Sequence, residues 1–142
     1  MARAVVAGAV AACALLALPA RAATLEVTVA NLRNAAGDVR VAVCSPATFL
    51  KEKCEYNGLA PARAGETVVR IEGVPPGVWA VQAYHDEDRN TEVTRNLLGM
   101  PTEGLGFSND APFRFGPPRY ADAAFQLGPA GGRIRLNLRY LF

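Results

Sequence analysis

Hydrophobic and polar positions alternate in several short blocks of this chain. Leu25, Val27 and Val29 are separated by Glu26 and Thr28, a period of two that puts one strand face on a core and the other in water. Val39, Val41 and Val43 repeat the pattern after Asn34-Ala35-Ala36-Gly37-Asp38, a turn in which Gly37 can take a positive φ. Together the two blocks predict an opening antiparallel hairpin. Ser45-Pro46 is a helix-start pair, so residues 46–53 are expected to form a short helical turn. Asn57 to Gly65 is polar and interrupted by Gly and Pro, and reads as loop. Val69 and Ile71 against Arg70 and Glu72 mark a strand over residues 67–72. After the turn Gly73-Val74-Pro75-Pro76-Gly77, Val78 to Tyr84 is apolar enough to be buried on much of both faces.

Residues 85–120 form a connection too long for an ordinary hairpin loop, and such connections are usually functional or disordered. Order is expected here, because Leu97, Leu98, Met100, Phe107, Phe113, Phe115 and Tyr120 call for burial. Ala123, Phe125 and Leu127 suggest another strand, and Pro129 to Gly132 a turn. Arg133 to Tyr140 is the cleanest alternation in the chain. Its three arginines could form a ligand-binding stripe, but the favoured reading is a solvated face paired with acids such as Glu26 on a neighbouring strand. No segment shows a long amphipathic helix. Six strands with turns between them predict an all-β, antiparallel, Ig-like sandwich carrying one long ordered loop.

The two ends of the chain change this picture only in compartment. Residues 1–22 carry Arg3, an apolar run to Leu18, then Pro19 and Ala20-Arg21-Ala22. That is the layout of a secretory signal peptide, too short to span a bilayer and closed by small residues at the cleavage site. It leaves residues 23–142 as one domain without a transmembrane segment, exported to the periplasm or beyond. Val10-Ala11-Ala12-Cys13 is a loose lipobox, but Cys13 sits midway along the apolar run, which favours the soluble alternative. The chain has 15 basic and 13 acidic residues. With Arg3 and Arg21 in the leader, the domain is close to neutral and lacks the field that nucleic acid would need. Cys44 and Cys54 remain, and an exported pair is expected to form a disulfide. Two thiolates and one remote histidine do not complete a zinc shell.

Four stretches in order, "LRNAAGDVRVAV", "GVPPGVWAVQAYHDED", "NLLGMPTEGLGFSND" and "RFGPPRYADAAFQL", resemble the bacterial exported DUF2141 family over essentially residues 23–142. That family is a domain of unknown function, so the resemblance implies a fold and a compartment without an activity. Val74 to Val81 is also similar to the "LPPGxYxV" element of transthyretin-like and carboxypeptidase-regulatory-like sandwiches. Kinship of fold carries no chemistry by itself.

Candidate chemistry concentrates in "HDEDRNTEVTRNLLGMPTEGLGFSND". Family members show a stretch here that looks like a calcium loop, in which alternate residues aim oxygens at one centre. Asp86, Asp88 and Asn90 keep that alternation, Glu92 follows, and Glu103 could join from across the loop. Thr91 stands where an EF-hand needs its turn glycine, and Leu97 where the closing Glu would be. The plainer reading has these side chains accepting loop amides and pairing with Arg89 or Arg95. His85 with Asp86 could serve a hydrolase, with Ser108 as the nucleophile candidate of the loop, but no nucleophile signature accompanies them. Gly99, Gly104, Gly106 and Gly116 precede no helix and make no phosphate cradle. Phe107, Phe113, Phe115 and Tyr120 could line an apolar groove, although plugging one end of the sandwich is the favoured role. The sequence therefore predicts an exported, disulfide-bonded, non-catalytic sandwich with a binding or structural role in the bacterial envelope. Its unidentified ligand or envelope partner would meet residues 85–120, and no cofactor is expected except a candidate calcium ion.

Overall fold

The computed structural model describes residues 2–14, 23–95, 97–113 and 116–141. Residues 2–14 are exposed and form no helix or strand; the leader features from Leu15 to Ala22 lie outside the described residues. Among the described residues, no helix is long and apolar enough to cross a membrane.

Eight strands follow: β1 (Ala23–Leu32), β2 (Asp38–Cys44), β3 (Tyr56–Pro61), β4 (Gly65–Val74), β5 (Gly77–Asp86), β6 (Leu105–Phe107), β7 (Phe125–Leu127) and β8 (Gly132–Asn137). A 3-10 turn at Ser108–Asp110 and a four-residue helix, α1 (Tyr120–Ala123), complete the regular structure. The strands form two sheets, β4-β1-β8 and β3-β2-β5-β6, with β7 pairing the first residues of β5. This is the all-β sandwich that the alternation predicts.

The opening hairpin is not found. β1 pairs with β4 and β8, whereas β2 pairs with β3 and β5 in the other sheet. Alternation states which face of a strand is buried, not which neighbour supplies its hydrogen bonds. Leu25, Val27 and Val29 meet Val39, Val41 and Val43 across the core instead of beside them. β8 runs parallel to β1, so the first sheet is mixed rather than antiparallel throughout. β3 occupies part of the stretch that reads as loop. Gly58 is there for close approach, since a Cβ would come within 2.8 Å of Ile71 and 3.1 Å of Val69 on β4. Pro61 ends an outer strand, a place that tolerates a missing N–H donor.

Val69, Ile71, Val81, Ala83, Leu136 and Leu138 join the β1 and β2 valines in the main core between the sheets. A smaller cluster, with Phe49, Ala80, Phe107 and Ala123, covers the outer face of the five-stranded sheet. The Cys44–Cys54 disulfide closes the loop that carries Phe49 into it, with an S–S length of 2.01 Å. The expected turn is present as one turn, the amides of Thr48 and Phe49 returning to the Ser45 carbonyl. Ala123 belongs to α1 rather than to the strand suggested for it. On the outer face of the other sheet, Glu26 is in register with both Arg70 and Arg133, and Arg135 pairs with Glu66.

Candidate functional site

β5 continues through His85 and Asp86, which are its last two residues and are fully buried. Asp38 and Arg40 on β2 stand opposite Asp86 and Tyr84. Just before β2, Gly37 lies so close to the carbonyls of Asp86 and Glu87 that a side chain there would overlap them, at a φ of 68°. This tight passage brings the Ala36 carbonyl to within 2.6 Å of His85 Nε2. A carbonyl can only accept, so Nε2 carries the proton, and Nδ1 accepts from the Tyr140 hydroxyl at 2.9 Å. That hydroxyl accepts in turn from the Arg33 amide at 3.1 Å, while burial raises the Tyr140 pKa. The Arg33 guanidinium lies 4.5 Å from the Tyr140 ring centroid and bonds Glu87 at 2.6 Å. Burial would lift the Glu87 pKa, but the Arg33 hydrogen bond and charge outweigh it and the net shift is downward.

The chain then reverses around three acids. Asp86 Oδ1 accepts the Asn90 amide at 3.1 Å, and Oδ2 accepts the Thr91 amide and Arg40 Nε, each at 3.0 Å. Asp88 Oδ1 shares the Asn90 amide at 3.2 Å, and the Asn90 side-chain oxygen accepts the Glu92 amide at 2.9 Å. Glu103 reaches across the loop and accepts the amides of Glu87 and Thr94, both at 3.2 Å. Arg89 and Thr91 hold φ values of 56° and 67°, a left-handed conformation costly to residues with a Cβ and tolerated because the turn is tied on both sides.

One oxygen each from Asp86, Asp88 and Glu103 lie within 4.8 Å of one another. Burial, with Asp88 and Asp86 nearby, pushes the Glu103 pKa up even though the amide and side chain of Thr94 oppose the rise. Burial and the charge of Asp86 push Tyr84 up to about 12. The arrangement is a carboxylate cluster with Arg40 at its edge, and its hard oxygens suit a cation such as calcium. The ion partner of Asp86 is Arg40, not the expected Arg89 or Arg95. Arg89 pairs with Asp38 at 3.3 Å and Arg95 donates to the Gly99 carbonyl at 3.0 Å.

The structure does not bring Ser108 to His85. Its hydroxyl donates to the Ala123 carbonyl and accepts the Val81 amide, pinning the 3-10 turn to β5. A general base must reach a substrate proton, and both His85 nitrogens are engaged on a ring without exposed surface. Phe49, which the alternation did not single out, packs edge to face on both Phe107 and Tyr120, and Phe107 packs likewise on Phe113, at centroid separations of 5.3–5.9 Å. Phe115 lies outside the described residues. Leu97, Leu98 and Met100, expected in the interior, are exposed at the far end of the loop.

Arg40, Arg33 and Tyr140 are the site residues that sequence reading missed. The only signal for Arg40 was its place two residues from Asp38 on a strand whose partner alternation does not name. No curated protein and no solved structure matches the chain. Residues 27–135 match a family described as uncharacterized proteins conserved in bacteria. With the greater part of its length covered by that match, the chain belongs to the DUF2141 family.

Proposed function

We propose that this is an exported, non-catalytic sandwich that acts as a binding or structural module of the bacterial envelope, its partner meeting the far end of residues 85–120. The observation that carries this reading is the exposure of Leu97, Leu98 and Met100 on a loop whose base is held by hydrogen bonds to the buried carboxylates of Asp86 and Glu103. Exposed aliphatic side chains on an anchored loop are what a partner surface needs. The leader over residues 1–22 supports the compartment. A photo-crosslinking residue placed at 97 in cells should give adducts in the envelope fraction, on a chain beginning at Ala23. The same residue at Val68, exposed on the opposite sheet, should give none. Equal adducts at both positions, or an unprocessed chain in the cytoplasm, would reject the proposal.

A second reading is favoured by the convergence of Asp86, Asp88 and Glu103. A hard cation such as calcium would bind their oxygens, offset the burial and the carboxylate repulsion that raise the Glu103 pKa, and hold the loop by charge in addition to hydrogen bonds. Ligand that binds only the folded state adds about 2.7 kcal/mol at a hundred times its Kd. Calcium should then raise the melting temperature by several degrees, and Asp86→Ala should abolish the rise. Superimposable scans with calcium and with chelator would remove the cation.

A further inference from the structure

The outer face of the three-stranded sheet carries a charged hollow on the far side of the core from the acidic loop. β4, β1 and β8 bring Arg70, Glu26 and Arg133 into a single row, because Glu26 is in register with both arginines. Glu26 lies 3.4 Å from Arg70 and 3.8 Å from Arg133, the loose end of the ion-pair range. The row lines one side of a hollow of about 250 Å³, and Thr24 and the turn from Ala130 to Gly132 line the rest. Gly131, at a φ of 82°, holds that turn low on β1, where a side chain would overlap the Thr24 carbonyl.

We propose that this hollow binds a small amino dicarboxylate of glutamate type, with its carboxylates on Arg70 and Arg133 and its ammonium on Glu26. A guanidinium offers five N–H donors and takes a carboxylate with two of them, whereas each arginine here makes a single long contact to Glu26. The charges along the row run plus, minus, plus. A ligand that matches them runs minus, plus, minus, as two carboxylates flanking an ammonium do. Neighbouring strands are about 4.8 Å apart, so the arginines spring from strands roughly 10 Å apart and can close on such a ligand from both sides. The volume falls below the roughly 300–1,000 Å³ of clefts that enclose drug-sized molecules, which suits an amino acid. Arg135 is turned to Glu66 and does not compete. With Arg70 and Arg133 against Glu26, the lining is net positive by one charge, which favours an anion.

Amide spectra of the oxidised domain, titrated with glutamate, glutarate and glutamine at constant ionic strength, test the assignment. Glutamate should shift the amides of Thr24, Glu26, Arg70 and Gly131 to Arg133, saturating at millimolar concentration. Glutarate lacks the ammonium and glutamine the second carboxylate, so both should bind more weakly. Arg133→Gln should weaken glutamate about fivefold, the size expected for an exposed charged contact. Arg119→Gln, remote on the α1 side, should leave it unchanged. Glutarate equal to glutamate, shifts spread over arginines elsewhere, equal loss in the two variants, or no shifts would each overturn the proposal.

Discussion

At the scale of single residues, the chain sets two carboxylates in opposite electrostatic positions. The hydroxyls of Ser45 and Thr48 hold the Glu55 pKa down to about 2, and Glu55 thereby fastens the start of the disulfide loop to its end. A folded-state pKa below the unfolded one means stability that is present above the ordinary carboxylate range and lost as pH falls from about 4.5 toward about 2. Glu103 has the reverse sign. Burial raises its pKa, so its ionised form weighs against the fold and protonation on acidification relieves it. Because Glu55 is exposed, its contribution is discounted to a few degrees in melting temperature at most. Glu55→Gln should melt below the parent at neutral pH, with the gap closing as pH approaches 2. A gap of constant size across that range would show that the charge is not what matters. The residue types of the site, His85, Asp86, Asp88 and Glu103, were legible in the sequence. Their partners were not, because Arg40 on β2 and Tyr140 beyond the end of β8 lie 46 and 55 positions away along the chain.

At the scale of elements, legibility followed the period of two. β1, β2, β4 and β8 were each visible, because one face of each is buried and the side chains say so, while β5 was legible as an apolar run covered on much of both faces. β3 was hidden by Gly58 and Pro61, which read as turn residues but serve close packing on β4 and the end of a strand. β6 was hidden by its length, since Leu105, Gly106 and Phe107 are too few to show a pattern. It nevertheless divides the long excursion into parts with different work. The portion before β6 is held by amides on Asp86 and Glu103, while the portion after it is held by Ser108 and by aromatic packing on Phe49. Burial was therefore the wrong expectation for Leu97, Leu98 and Met100: polar contacts order that part of the loop, leaving its aliphatic side chains exposed. The Phe107 cluster covers the outer face of the five-stranded sheet instead of plugging an end of the sandwich, because apolar side chains on a strand flank need a covering surface and found one in the disulfide loop.

At the scale of the whole molecule, the class of fold followed from alternation in a chain of one-domain length, but the partition into two sheets did not. Partition depends on which strands meet at the seams, and glycines decide that here. Gly58 lets β3 lie on β4, and Gly106 lets β6 lie against the end of β8, where Leu105 and Arg139 exchange backbone hydrogen bonds of 3.0 and 2.7 Å. A Cβ on Gly106 would come within 2.7 Å of Leu136 and 2.8 Å of the Asn137 carbonyl oxygen. Leu136 belongs to the main core and the carbonyl to the backbone of β8, so relief requires β6 to lift away. Gly106→Ala should accordingly cost about 1–3 kcal/mol, the usual range for overpacking, and lower the melting temperature by several degrees. Gly128→Ala, where a Cβ meets nothing within 4 Å, is the matched control and should be nearly neutral. Amide exchange separates local from global loss: if the seam joins the sheets, Leu105 and Arg139 should lose protection in Gly106→Ala before the β1 and β2 amides do. Equal melting of the two variants, with protection at Leu105 and Arg139 retained, would mean that the sheets are held together by the core alone.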